Sequence, residues 1–195
     1  MNARHSHDSP DWYTPADYVE AAREVLGTID LDPMSDTIAN ETIKADCFFV
    51  VEEDGLAQDW WGRVFLNPAG GLVAEAWRKF TSEPFDAGIW IGYSLEQLQT
   101  LQSVSYVMPL DFPMCVPKCR IAFVENEAKK AERIVRLLTK GEAPGASDAA
   151  RKLAARIRTG KEPPNSPSHA NYITYIGPDP HRFVGIFSQF GAVRL

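Results

Sequence analysis

The stretch Arg63-Val64-Phe65-Leu66-Asn67-Pro68-Ala69-Gly70-Gly71 joins an apolar run to a turn with almost no side chains. Val64, Phe65 and Leu66 read as a buried strand, and Asn67-Pro68 stands at its end. An aromatic amine is a poor nucleophile because its lone pair is delocalised into the ring. The Asn67 side-chain oxygen and the Pro68 carbonyl can each accept one hydrogen bond from such an amine. Two acceptors favour the pyramidal nitrogen, and the fixed φ of Pro68 sets the turn. Placement then carries much of the effect, and no ionised base is needed at the start. The plain alternative is an ordinary loop, since Asn, Pro and Gly are common turn formers.

Two more polar clusters fall at the ends of predicted strands: Asp30 and Asp32-Pro33 in "TIDLDP", and Asp54-Gly55-Leu56 in "EEDGL". In an open α/β sheet, ligands sit beyond the carboxyl ends of the strands. Carboxylates there suit an ammonium, ribose hydroxyls or the amine of adenine. Neither a G-x-G-x-x-G run nor a Gly-Lys-Ser/Thr phosphate loop is present, which fits a nucleoside cofactor without phosphates.

The elements that must position these residues are legible as a pattern. "TPADYVEAAREVLG" predicts a helix with Thr14 as N-cap, Pro15 at the first turn, Asp17 completing a capping box and Gly27 at its end. "TIDLDP", "DCFFVV" and residues 63–66 predict strands, residues 72–82 a helix, and "AGIWIGYS" a strand buried on both faces. "SLEQLQTLQ" reads as helix, and "SYVMPL" and "CRIAFV" as strands. Residues 125–159 read as two helices broken at "KGEAPGAS". "NYITYIG" and "RFVGIFSQF" have strand character, separated by a turn at "PDPH". Strands alternating with helices predict an α/β fold with a mixed, mostly parallel sheet and helices on both faces. The expected organisation is a tail over residues 1–11 and one domain over 12–195, with a basic helical insertion at about 125–162.

Composition narrows the class. The chain has 195 residues, 45% of them hydrophobic, enough for a sizeable core. No apolar run approaches the ~20 residues of a membrane span. Three cysteines, an odd number, suggest reduced thiols and an intracellular, cytoplasmic protein. Cys115 and Cys119 lack the further ligands a zinc site needs, so no metal is expected. The net charge of -6 is unevenly spread. Residues 1–66 hold 4 Lys/Arg and 14 Asp/Glu, whereas residues 129–161 hold 10 and 3. Such a chain can present a basic surface to phosphates while staying acidic elsewhere, although a solvated helical pair reads equally well.

Together the segments "DWYTP", "IDLDPMS", "EEDGL" and "WWGRVFLNP", in that order, resemble the phage-type Dam DNA N-6 adenine methyltransferases. "YSLEQLQ", "FPMCVPKCRIAF" and "SPSHANYITYIG" are similar to segments of one phage subgroup. The resemblance covers most of residues 12–124 and part of 163–187. It implies a Rossmann-like methyltransferase fold, S-adenosyl-L-methionine as methyl donor and double-stranded DNA as partner, in a bacterial host during infection or from a prophage. Trp12, Thr14 and Pro15 would border the methionine end of the cofactor. Asp32 and Pro33, with Asp30 beside them, match the first cofactor motif. Asp54 matches the acid that meets the adenine amine, and Leu56 the apolar residue packing on its ring. Asn40 would also approach the cofactor. Asn67 and Pro68 match the start of an Asn-Pro-Pro-aromatic catalytic motif.

The sequence departs from that motif at Ala69, which is expected to loosen the turn, and at Gly70, which removes the ring that sandwiches an extruded base. Trp60, Trp61, Trp90 and Tyr93 are the candidate replacements, with Tyr93 favoured because it ends the next apolar strand. Lys129, Lys130, Arg133, Arg136, Arg151, Lys152, Arg156 and Arg158 are candidates for DNA phosphates. His169, with Asn165, Ser166 and Asn171, is a candidate for base edges. Two rivals remain: a catalytically eroded protein that binds cofactor, DNA or a host defence factor, and a methyltransferase acting on a protein amide.

Overall fold

The structure is a computed structural model that describes residues 12–125, 127–160 and 169–195. The expected tail over residues 1–11 and most of the Pro-rich loop "KEPPNSPSH", with Asn165 and Ser166, lie outside the described residues. In chain order the elements are β1 (Trp12–Tyr13), α1 (Ala16–Leu26), β2 (Leu31–Asp32), α2 (Thr37–Ile43), β3 (Cys47–Phe48), β4 (Arg63–Leu66), α3 (Val73–Ser82), β5 (Ala87–Gly92), α4 (Gln97–Gln102), β6 (Met114–Pro117), β7 (Val124–Glu125), α5 (Glu127–Glu142), α6 (Asp148–Arg158), β8 (Tyr172–Ile176), α7 (Pro180–Phe187) and β9 (Gly191–Arg194). They group into two compact units, the smaller of which contains the helices of the expected basic insertion.

The larger unit spans residues 14–122 and the described residues from 169 to 195. Its seven-stranded sheet has the order β3-β2-β4-β5-β8-β6-β9. β3, β2, β4 and β5 are mutually parallel, and β8, β6 and β9 add antiparallel pairings. The chain steps from β2 outward to β3 and then crosses back over β2 to β4. That reversal makes the gap beyond the carboxyl ends of β2 and β4 the topological switch point, where ligands of open α/β sheets sit.

Alternation along the strands divides the core into two layers. Val64, Leu66, Trp90, Met114 and Tyr172 share one face and pack with Trp77 and Phe80 of α3 and Leu101 of α4. The Trp77 and Trp90 rings meet edge to face at 5.0 Å. On the opposite face Tyr175 stacks on Phe183 at 5.6 Å, and Phe183 on Phe187 at 4.6 Å. Tyr18 of α1 stacks on Phe190 at 4.4 Å. Helices therefore cover both faces, as the α/β pattern requires.

Several elements differ from the sequence reading. "RFVGIFSQF" is helical over α7, not a strand. Asp179 caps it by accepting from the Arg182 N–H at 3.0 Å, Pro180 fits its first turn, and Phe183 and Phe187 stack at i,i+4. The final strand is the β9 segment behind it. "SYVMPL" is no strand either. Pro109 opens a 3₁₀ turn over Pro109–Asp111, and the Val107 carbonyl is taken by the Trp77 indole at 2.7 Å. Of "CRIAFV" only Val124 is in a strand, opening β7, while the sheet strand lies earlier, over β6. At α1 the N-cap is Pro15 with no side-chain hydrogen bond, so Thr14 and Asp17 make no capping box.

The smaller unit contains β1, β7, α5 and α6. β1 pairs antiparallel with β7, Trp12 opposite Glu125 and Tyr13 opposite Val124. α5 and α6 form the helical pair expected from the break at "KGEAPGAS". They pack closely at Gly141, where a Cβ would stand 2.4 Å from that of Ala154. Among the described residues, no helix is long and apolar enough to cross a membrane.

Candidate functional site

Asn67 and Pro33 step off adjacent parallel strands at the same carboxyl edge, since Leu31 of β2 is level with Val64 of β4. The Asp54-Gly55-Leu56 turn, which follows β3, joins them. A Cβ on Gly55 would fall 1.7 Å from the Pro33 carbonyl oxygen, so only glycine permits this approach of two backbones. The Gly55 carbonyl is held by the Trp60 indole at 2.7 Å, which accounts for Trp60 as a core residue rather than a stacking ring. Asp54 is exposed at a positive φ of 50°, and Leu56 is half-buried against the apolar core. The structure thus gathers the Asp32-Pro33, Asp54-Leu56 and Asn67-Pro68 turns at one edge of one sheet.

Asp32 is the electrostatic centre of this edge. Its side chain is 2% exposed and accepts the Met34 N–H at 3.1 Å. Burial pushes its carboxyl up to about 7, a rise that the Met34 bond opposes in part. Thr14 is also buried, and among the described residues its hydroxyl has no hydrogen-bond partner. A buried polar atom of this kind is costly unless something pairs with it. A buried carboxylate at this edge suits a ligand that brings hydrogen-bond donors and positive charge.

Several sequence candidates are placed elsewhere or do other work. Asp30 sits at the amino end of β2, where its carboxylate takes the Arg63 Nε and backbone N–H at 2.8 Å, Arg63 Nη2 at 3.1 Å and the Thr28 hydroxyl at 2.7 Å. Burial opposes its ionisation, but the Arg63 and Thr28 bonds outweigh it and hold the carboxyl below its ordinary range. Its oxygens are committed to tying β2 to β4. Asn40 closes the end of α2 instead of meeting a cofactor, accepting the Ala45 N–H at 2.9 Å and donating to the Ala45 carbonyl at 3.3 Å. Trp12 belongs to the smaller unit. Pro15, half-buried, opens α1.

The Asn-Pro turn itself keeps a proline-like backbone. Ala69 has φ −59° and ψ 136°, inside the range a second proline would impose. The turn is therefore not loosened in the folded state, contrary to the sequence expectation. Its carbonyl accepts the Leu72 N–H at 2.9 Å, a bond proline would retain. Ala69→Pro is accordingly expected to raise stability by roughly 0.4–1 kcal/mol through the unfolded chain. Urea titration checks this, and a lower midpoint would refute it.

Beyond the turn, Gly70–Leu72 form a 3₁₀ turn that leads into α3. Tyr93, one residue past β5, lies against Gly70, its Cε1 3.5 Å and its hydroxyl 3.7 Å from where a Gly70 Cβ would stand. Of the four rings considered, Trp60 and Trp90 are buried in the core, Trp61 is half-exposed, and Tyr93 borders the turn. Asn171 is 2% exposed and fixes Tyr93 by donating to its carbonyl at 2.7 Å, while accepting the Ile121 N–H at 2.8 Å. It is a fold-holding residue, not a base reader. No local signal marked this role, because its two partners lie 78 and 50 residues away. His169 and Glu96, the latter unremarked in the sequence, come together beside Tyr93.

The basic candidates fall on the helical pair of the smaller unit. Arg151, Lys152 and Arg156 are exposed on α6. Arg158 pairs with Glu142, and Lys130 with Glu127 at 3.4 Å. Arg136 is exposed and is itself engaged in an interaction. The side chains of Lys129 and Arg133 lie outside the described residues. An open depression of about 580 Å³ lined by Asp17, Glu20, Glu24, Arg182 and Phe190 contains none of the site residues. Among the described residues, no group of three or more His, Cys, Asp or Glu is placed to hold a metal. Cys115 is buried in the core, its thiol pushed up to about 11 by burial.

Comparison of the chain with protein-family models, with curated proteins and with solved structures returns no match.

Proposed function

We propose that this chain is an S-adenosyl-L-methionine-dependent methyltransferase acting on the exocyclic amine of adenine in DNA. The observation that carries the reading is the gathering of three turns at the switch point, with the Gly55 backbone against the Pro33 carbonyl and Asn67-Pro68 on the neighbouring strand. Buried Asp32 and the Thr14 hydroxyl, which has no hydrogen-bond partner among the described residues, are the groups that would hold a cationic nucleoside cofactor. When bound, that cofactor would supply an electrophilic methyl group.

The residues of the chain then divide the work. Asp32 and Thr14 hold the cofactor, and Leu56 offers an apolar side chain to a purine ring. Asp54, solvated and next to Leu56, is available to an amine. Asn67 Oδ1 and the Pro68 carbonyl accept the two amine protons of the acceptor and orient its lone pair. Tyr93 takes the place of the ring missing at Gly70 and stacks on the extruded base, an interaction worth ~1–3 kcal/mol. Arg151, Lys152 and Arg156 supply phosphate contacts, which add affinity and salt dependence but no sequence choice.

Expression in a methylation-deficient bacterium followed by nucleoside mass spectrometry of genomic DNA tests the reading. N-6 methyladenine is expected. Cofactor binding without any methylated base would favour the eroded alternative, and methylated glutamine in protein would favour the amide alternative.

A further inference from the structure

The loop after β5 carries side chains that the transfer reading leaves unused. His169 Nδ1 lies 3.4 Å from Glu96 Oε2, and the Ser94 hydroxyl donates to the same carboxylate. The Glu96 N–H returns a bond to Ser94 Oγ at 3.1 Å. The Ser94 bond, then the Glu96 N–H and His169, hold the Glu96 carboxyl below its ordinary range. The His169 ring meets the Tyr93 ring at 75°, centroids 6.4 Å apart, an edge-to-face geometry. The Leu95 N–H bonds the Ala170 carbonyl at 2.9 Å and fastens the two loops together. Among the described residues, the ionisable groups against His169 are Glu96 and Tyr93.

These contacts run in one line: Ser94 to Glu96, Glu96 to His169, His169 to the Tyr93 ring, and the Tyr93 ring to Gly70. A tyrosine at a strand end loses rotamer freedom when another ring stacks on it, and that loss weakens binding unless the ring is already held. Asn171 holds the Tyr93 backbone, the ring packs against the apolar core, and His169 meets its edge from the loop. We propose that His169, anchored by Glu96, is a positioning residue that fixes the Tyr93 ring over Gly70 as the stacking platform for the acceptor base. This rests on the acceptor-site reading above.

The test is fluorescence anisotropy with a short fluorescein-labelled oligodeoxyadenylate, which needs no base extrusion, on the full chain. His169→Ala is expected to weaken binding about tenfold, as Tyr93→Ala does, and the double variant to add little. His169→Phe keeps a ring edge against Tyr93 and is expected to recover most of the affinity. Glu96→Gln, which removes the anchoring charge, is expected to lose part of it.

Binding by His169→Ala equal to wild type overturns the proposal, and so does a His169→Phe variant as weak as His169→Ala. A salt slope lower by about one in His169→Phe would make His169 a phosphate contact and overturn it too. Calorimetric titration with S-adenosyl-L-methionine separates the two levels. A wild type that binds neither cofactor nor oligonucleotide overturns the acceptor-site reading and this proposal together. A wild type that binds both, with His169→Ala indistinguishable from it, overturns this proposal alone.

Discussion

Asp32→Asn is expected to make the ligand-free protein more stable at pH 8, by roughly 2–4 kcal/mol, while weakening the proposed cofactor binding. The reason is the carboxyl that burial has pushed up to about 7. Below about pH 4 Asp32 is protonated in both folded and unfolded chains and costs nothing extra. Between about pH 4 and 7 the unfolded chain has released this proton and the folded chain still holds it. The folded state binds more protons, so the stability due to Asp32 falls by about 1.4 kcal/mol per pH unit as pH rises. Above 7 the folded carboxyl is ionised as well, and the full penalty persists. Asn cannot ionise, yet its amide oxygen can still accept the Met34 N–H.

Thermal and urea unfolding of both proteins at pH 4, 6 and 8 check this. The variant should lead by most at pH 8, and the lead should vanish near pH 4. Other ionisable groups are common to both proteins, so the difference isolates Asp32. A variant less stable than wild type at pH 8 would remove the buried carboxylate from the argument. The functional half is separate: calorimetry should find S-adenosyl-L-methionine binding weakened by ten- to a hundredfold, the range for losing a hydrogen bond to a charged group. A site that is costly when empty and stabilised when filled marks a residue kept for its ligand.

What the sequence carried, and what it did not, follows from the range of each interaction. The strand ends were readable because apolar runs stop at Asp32, Asn67 and Gly92 within a few residues. Their meeting at one edge was readable only as a general property of α/β sheets. The contact that joins two of them, Gly55 on the Pro33 carbonyl, has no local signature beyond the glycine itself. Asp30 looked like a partner for Asp32 because the two alternate on one short strand. Its claim was settled by Arg63, 33 residues away. α7 was misread because Phe183, Val184, Ile186 and Phe187 suit a strand as well as a helix. Asp179-Pro180 is the decisive local signal for the helix, although the same pair suits a turn. The Ala69 substitution suggested a slack turn, since sequence reports the loss of the proline ring but not the backbone angle that neighbouring bonds preserve.

Asn67→Ala is expected to lower methyl transfer by about 10²–10³ with cofactor affinity unchanged, the scale for removing one preorganised polar group from a transfer site. Asn67 leaves β4 beside Asp32, and in the proposed reading it serves the acceptor rather than the cofactor, so the two variants should fail differently: Asp32→Asn in cofactor binding, Asn67→Ala in turnover. Asn67→Asp keeps an oxygen acceptor at the same reach and should retain part of the activity that Ala loses, because the amine needs an acceptor rather than an amide. Single-turnover assays with radiolabelled methyl donor and unmethylated DNA, beside calorimetry on the same samples, resolve the three. Full turnover in Asn67→Ala would take the Asn-Pro turn out of the chemistry. Equal loss in Asn67→Ala and Asn67→Asp, with cofactor affinity intact, would mean that the amide N–H of Asn67, not its oxygen, does the work, and the two-acceptor mechanism would fall even if methylation stands.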